Sequence, residues 1–293
     1  MKRYFHTLKC DPFTIIVLSI LISVLITSCV PNANDRKGFR DSEKWGKVIK
    51  RDIQPGYFTK IRNCCLADII FTQSDTLRYT VEGNEKALDH YTIEVEEDSA
   101  NYSWLVIRSD IEVLKGPSIR LYVSAPSISM IHLCHGGDID LKDSVTLDSL
   151  WLINTGYGDI DITQLSVRNL KIDVTSGDVR IRYLNCSDIT AKTYGGDGDI
   201  KIRNAQVDGN ADLFTGYKGD IDGTFTARKI TALSASEGDI DIKVDCDTIS
   251  INSQGSGDIE VEGQAKVLQR FRKALGTTNT KRLRADKIEW VEE

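Results

Sequence analysis

The chain has 293 residues, a formal net charge of -6 and no basic stretch within its repeats, which excludes a nucleic-acid partner because phosphate binding needs a basic face. Met (2) and Pro (5) are scarce while Gly (22) is plentiful, a bias toward strands and tight turns. The length admits one large domain or two small ones, and repeat architectures commonly run this long as a single body.

Lys2, Arg3 and Lys9 precede an apolar run, FTIIVLSILISVLI, over residues 13–26. It is too short for a comfortable membrane span and of the right length for a signal-peptide core. The run ends in LITSC, residues 25–29, which resembles the bacterial lipobox. That resemblance makes residues 1–28 a lipoprotein signal peptide and Cys29 the lipid-carrying first residue of the mature chain. Val30 stands where retention at the inner membrane uses an acidic residue, which points to an outer-membrane lipoprotein on its periplasmic or cell-surface face. Several acyl chains, at about 0.8 kcal/mol per buried methylene, exceed the marginal binding of one. Residues 29–44 are polar and aperiodic after the Cys, as a tether between lipid and folded domain should be.

Residues 45–136 are rich in strand-like runs, among them DIIFT, LRYTVEG, YTIEVEE, SWLVIRS and SIRLYVSAP, but show no period. They are expected to form a first sheet or irregular early coils that cover one end of the periodic region. From residue 137 to 262 the chain repeats: Gly-Asp pairs begin at Gly137, Gly158, Gly177, Gly198, Gly219, Gly238 and Gly257, with spacings of 21, 19, 21, 21, 19 and 19. Periods of about 20 residues mark solenoids, whose units bury their apolar faces only against their neighbours. Within one unit the apolar positions are Ile160 and Ile162, then Leu165 and Val167, then Leu170, Ile172 and Val174. Steps of two are strand and steps of three are corners, so three short strands and their corners close one coil. The next unit repeats this 19 residues on, at Val179, Ile181, Leu184, Cys186, Ile189, Ala191 and Thr193. The prediction is an all-β parallel β-helix.

Residues 263–293 break the pattern. In AKVLQRFRKALG, Val267, Phe271 and Leu275 fall at steps of four and Gly276 comes next, which predicts a short amphipathic helix within a C-terminal cap or extension of the solenoid.

The ordered combination YFTKIRNCCLADIIFTQSDTLRYTVEGNEKALDHYTIEVEE, then SIRLYVSAPSI, then units like GSGDI resembles the auto-transporter adhesin head domain with GIN motifs, over roughly residues 45–262. The resemblance implies a right-handed β-helix and a cell-envelope location in Bacteroidetes; the adhesin label carries no defined ligand. The basic C-terminal segment replaces the further Gly-rich units usual in that family.

Stacked coils would place Asp138, Asp159, Asp178, Asp199, Asp220, Asp239 and Asp258 in one row. So many like charges repel unless compensated. Either each side chain accepts backbone N–H groups at its own turn, with Gly supplying the permissive dihedral, or Ca²⁺ sits between carboxylates and carbonyls. The first is the expected role, leaving the row as weak Ca²⁺ candidates. The next outward positions, Asp140, Asp161, Arg180, Lys201, Asp222, Asp241 and Glu260, form a solvated face with internal pairing.

His132, Cys134 and His135 in HLCHGGD imitate a metal cluster, but alternate residues of a strand face opposite sides, so an inward Cys134 is expected instead. Cys186 and Cys246 fall on inward template positions, adjacent Cys64 and Cys65 cannot bridge each other, and the odd total of thiols in the mature chain leaves at least one unpaired. No nucleophile–base pair, metal spacing or phosphate loop stands outside the repeated framework, so no catalytic residue and no cofactor are assigned. The expected function is non-enzymatic adhesion to, or binding of, a surface glycan or protein through the β-helix flank. A carbohydrate-active lyase or hydrolase using the acidic face, or a purely structural envelope protein, are the alternatives.

Overall fold

The computed structural model describes residues 45–110, 117–271 and 275–292; the expected signal peptide, Cys29 and the tether lie outside the described residues. The chain is a parallel β-solenoid of about eight turns.

The aperiodic first part belongs to this solenoid. Its strands are β1 (Val48–Ile53), β2 (Lys60–Asn63), β3 (Asp68–Gln73), β4 (Arg78–Asn84), β5 (Tyr91–Glu97), β6 (Ser103–Ser109), β7 (Arg120–Ala125) and β8 (Met130–Leu133), with a short helix, α1 (Glu85–Leu88), between β4 and β5. The repeats supply β9 (Ile139–Asn154), β10 (Ile160–Val174), β11 (Val179–Thr193), β12 (Ile200–Val207) with β13 (Asn210–Thr215), β14 (Ile221–Ser234), β15 (Ile240–Ser253) and β16 (Ile259–Phe271).

The repeats obey the period-two rule almost without exception. The three short strands expected per coil merge into nearly continuous extended runs, because the corners bend without breaking the ladder to the neighbouring coil. Ile160 pairs with Val179, Leu165 with Leu184 and Ile172 with Ala191 in parallel register. All seven inward residues of the first template unit, from Ile160 to Val174, are at most 5% exposed. Burying each large aliphatic side chain contributes about 1.5–3 kcal/mol relative to leaving it in water. Where one strand pairs its neighbour at two different offsets, as at Ile162 and Gln164 against β9, a local irregularity absorbs the extra residue of the longer unit.

One row inside the core is polar. Asn154, Thr193, Thr215, Ser234 and Ser253 are buried, and each turns a side-chain donor onto the carbonyl of a corner Gly: Asn154 to Gly158 at 2.8 Å, Thr193 to Gly219 at 2.8 Å, Ser253 to Gly257 at 2.9 Å. A carbonyl that turns inward at a corner would otherwise be left unpaired in an apolar interior.

In the first part, β2 lies between β6 and β8, and β3 between β7 and β9, all in parallel, so the first coil is inserted between coils that come later in sequence. The remaining edges of β6 and β7 are covered by antiparallel β5 and β4, and β1 adds outside β4. Ala87 and Leu88 of α1 are buried, closing the apolar end. This is the expected end cover.

The C-terminal segment departs from the prediction. Among the described residues, the segment holds the rest of β16 and a further strand, β17 (Thr278–Val291), in parallel register, which extends the solenoid where a short helix was expected. The inward residues of β16 are Ile259, Val261, Ala265 and Leu268, each 19 after Ile240, Ile242, Cys246 and Ile249. The template therefore continues into the segment that imitated a helix, as far as Phe271, and the four-residue spacing of Val267, Phe271 and Leu275 is incidental; Leu275 is 82% exposed.

Candidate functional site

The Asp row exists, and its bonding differs from expectation. From Asp138 to Asp239, each Oδ1 accepts the backbone N–H of the Asp in the next coil, not one at its own turn: Asp159 N–H donates to Asp138 at 2.9 Å, Asp178 to Asp159 at 2.9 Å, Asp199 to Asp178 at 3.1 Å. The series continues through Asp220 to Asp199 at 3.0 Å, Asp239 to Asp220 at 2.8 Å and Asp258 to Asp239 at 2.7 Å. The partner Gly is required chiefly for close approach: a Cβ on Gly158 would stand 2.3 Å from the Gly137 carbonyl, and of the seven repeat glycines only Gly177 has positive φ, at 62°.

The ladder also runs beyond the seven sequence copies. Asp68 accepts the Asp138 N–H at 3.3 Å, and Gly276 with Thr277 takes the Gly-Asp place above Asp258, where Ile259 N–H donates to Thr277 O at 2.9 Å. Charge-assisted bonds to backbone offset part of the repulsion along the row. Two cations supply more. Arg180 reaches Asp159 Oδ2 and Asp178 Oδ2 at 2.6 Å each, and Lys201 reaches Asp199 Oδ2 at 2.9 Å.

Beside the ladder lies a groove of about 830 Å³ across the first strand of the coils. Two columns line it. Nearest the ladder stand Asp140, Asp161, Arg180, Lys201, Asp222 and Asp241, which the register stacks directly upon one another, as the sequence implied. Two residues further along each strand come Lys142, Thr163, Arg182, Arg203, Thr224, Lys243 and Glu262, a second column that sequence reasoning does not single out. Six cations and five carboxylates thus face one groove.

The columns are not mutually neutralised. Lys142 pairs with Asp140 at 3.4 Å, but among the described residues Arg182, Arg203 and Lys243 make no ion pair, Arg182 lying instead 5.4 Å from the Tyr183 ring. Burial raises the carboxyls of Asp161, Asp222 and Asp241 above the ordinary range; Arg180 opposes this at Asp161 and Lys201 at Asp222, while neighbouring carboxylates add to it. Such a surface can hold hydrogen-bonding ligands through both bidentate guanidinium donors and carboxylate acceptors.

The His–Cys segment is arranged differently from expectation. His132 Nε2 lies 3.3 Å from Thr155 Oγ1, and His135 Nδ1 accepts the Gly136 N–H at 2.9 Å. Cys134 does not point into the core: it sits at a corner with its sulfur 2.7 Å from that of Cys64. Cys186 and Cys246 are buried inward, as expected.

The family described as "Putative auto-transporter adhesin, head GIN domain" matches residues 57–211 and 209–291, so the likeness extends past residue 262 through the final strand. No curated protein matches the chain. Among solved structures, one described as a putative adhesin from Bacteroides fragilis NCTC 9343 is similar at TM-score 0.62 and 22% identity, over 73% of this chain and 97% of that one. Another, described as a putative lipid binding protein from Parabacteroides distasonis ATCC 8503, gives TM-score 0.58 and 15% identity over 84% and 97%. At these identities the likeness to the solved structures is one of fold. The family match covers every coil that carries the ladder and the groove, and the chain therefore belongs to the auto-transporter adhesin head GIN domain family.

Proposed function

We propose that the protein is a non-enzymatic binding protein of the cell envelope, anchored by lipid on Cys29 at the outer membrane, and that its charged groove holds a surface glycan. The observation that carries this reading is the groove itself: an open channel crossing stacked coils, with Arg182, Arg203 and Lys243 free of ion pairs among the described residues and set beside a column of carboxylates. A polysaccharide presents hydroxyls, and often carboxylates, at regular intervals. A solenoid presents donors and acceptors at its own interval of about 4.8 Å, on a surface that needs no deep pocket. Arg182 and Arg203 would supply bidentate bonds, and Asp161, Asp222 and Asp241 would accept from sugar hydroxyls. The adhesin name of the family, and the envelope or surface location that the name suggests, agree with this reading. The lipid binding in the name of the Parabacteroides neighbour belongs to that protein; in this chain the groove is charged on both columns, which disfavours acyl chains.

A second reading has one observation in its favour. Carboxyls raised by burial, as at Asp161, Asp222 and Asp241, suit a general acid in glycoside hydrolysis or elimination. Against it, the acids belong to a repeated column from which no particular pair stands out. A glycan array with turnover measured on the same sugars separates the two. Binding without product supports the adhesin reading; cleavage lost on replacing one of Asp140, Asp161, Asp222 or Asp241 would establish the enzyme. Neither binding nor cleavage would leave a purely structural envelope role.

A further inference from the structure

Five cysteines lie among the described residues, and three are core thiols: Cys65, Cys186 and Cys246 are buried, which pushes each up to about 12. Cys64 and Cys134 are placed otherwise. Asn63 of β2 pairs with Leu133 of β8 in parallel, so the next residue on each chain enters the corner side by side with its counterpart in the adjacent coil. Adjacent coils stand about 4.8 Å apart, within the Cα separation of roughly 4.4–6.8 Å that a disulfide requires. Backbone bonds hold both corners: Cys134 N–H donates to Asn63 O and Cys64 N–H to Ile107 O, each at 2.9 Å. The sulfurs face each other at 2.7 Å, and both residues are partly exposed, so a reagent can reach them.

We propose that Cys64 and Cys134 form a disulfide site, oxidised by exchange with a disulfide donor such as glutathione disulfide or an oxidised dithiol protein, and that the bond joins the coils of β2 and β8 at the base of the loop that carries β4, α1 and β5. Cys64 is the attacking sulfur. A hydrogen bond from Cys134, helped by Arg62 and Arg108, lowers its thiol to about 7, whereas the Cys134 thiol is held above its ordinary value by the same bond and by burial. The Cys64 thiolate attacks one donor sulfur, forming a mixed disulfide and expelling a donor thiolate. Cys134 then gives up its proton, its sulfur attacks that of Cys64, and the second donor thiolate leaves. Two protein thiols lose two electrons and two protons in total, and the donor disulfide becomes two thiols. Positions 70 apart in sequence are joined, and the closed loop contains β4, α1 and β5 of the end cover, with β1 outside it.

Trypsin places Cys64 in the peptide 63–78 and Cys134 in the peptide 121–142. After treatment of the full chain with glutathione disulfide and a non-reducing digest, these should appear as one species about 2 Da lighter than their sum. The species should persist in Cys65→Ser and vanish in Cys64→Ser. Reductant should lower the melting temperature of the oxidised wild type by about 5–15 °C and leave Cys64→Ser unmoved. Separate alkylation of both cysteines after the same treatment would overturn the proposal, as would a linkage that survives Cys64→Ser. An equal response of wild type and Cys64→Ser to reductant would do the same. Should Cys64→Ser fail to fold, the peptide maps of wild type and Cys65→Ser decide alone.

Discussion

Replacing Ile172 by Ala tests the inside-outside register where it is most constrained. Ile172 is 0% exposed and stacked between Leu152 of the coil before and Ala191 of the coil after. Truncation removes three carbon groups, about 2.4 kcal/mol of transfer free energy at about 0.8 kcal/mol each. The methyl of Ala191 cannot reach into the space left, so a cavity contribution adds to this and the total should be about 3–4 kcal/mol. For a folded body of this size that is roughly 7–15 °C in melting temperature. Ile172→Asp should be worse, because it leaves a buried carboxylate unpaired. The neighbouring Lys171 points outward, 46% exposed, with its ammonium 2.8 Å from Asp173 and 3.9 Å from the Trp151 ring centre. Lys171→Ala should therefore cost about 1 kcal/mol or less. Thermal and urea melts followed by far-ultraviolet circular dichroism measure both. Equal losses at the two positions would refute the register and the solenoid built on it.

The ladder bonds run between coils, so Asp239→Ala, which strands the Asp258 N–H, should cost about 1–2 kcal/mol in urea unfolding, while Asp239→Asn, which keeps an acceptor, should cost less. Burial raises the Asp222 carboxyl in the fold, so the native state gives up stability as pH rises through that value and regains it as pH falls toward the unfolded one. Asp222→Asn should accordingly melt higher than wild type near about pH 7, with the advantage gone by about pH 4; an advantage that does not change with pH would contradict the desolvated groove. Intact mass of protein extracted from membranes should show lipid on a chain beginning at Cys29, absent in Cys29→Ser; a soluble product beginning elsewhere and unaffected by the substitution would end the lipoprotein reading.

How much of the fold and the groove is legible in the residues depends on whether a contact lies one coil away in sequence. The inward template from Ile160 to Val174 and its copy 19 residues on can be read directly, because neighbouring coils are also neighbouring repeats. Asp68 cannot, since the coil carrying it is separated from Asp138 by the end cover, and 70 residues of unrelated strand hide the register. The same insertion hides the approach of Cys64 to Cys134. At the other end the template is present in Val261, Ala265 and Leu268 but masked by Gly263 and Arg270, which occupy the places of Val244 and Ile251. A weak helical spacing then outweighs a weakened repeat. The second groove column is visible as alternate outward positions, yet only its stacking beside the acids shows that Arg182 and Arg203 face a common channel.

The most direct test of the groove as the binding surface is calorimetric titration of the strongest glycan from the array into three proteins. These are wild type, Arg182→Ala/Arg203→Ala in the groove, and Arg228→Ala/Lys229→Ala at a corner outside it, which removes the same charge. The groove variant should melt like wild type and bind at least about tenfold more weakly, roughly 1.4 kcal/mol, while the corner variant binds as wild type does. Unchanged affinity in the groove variant, or an equal loss in both, would contradict the assignment of the groove as the glycan site.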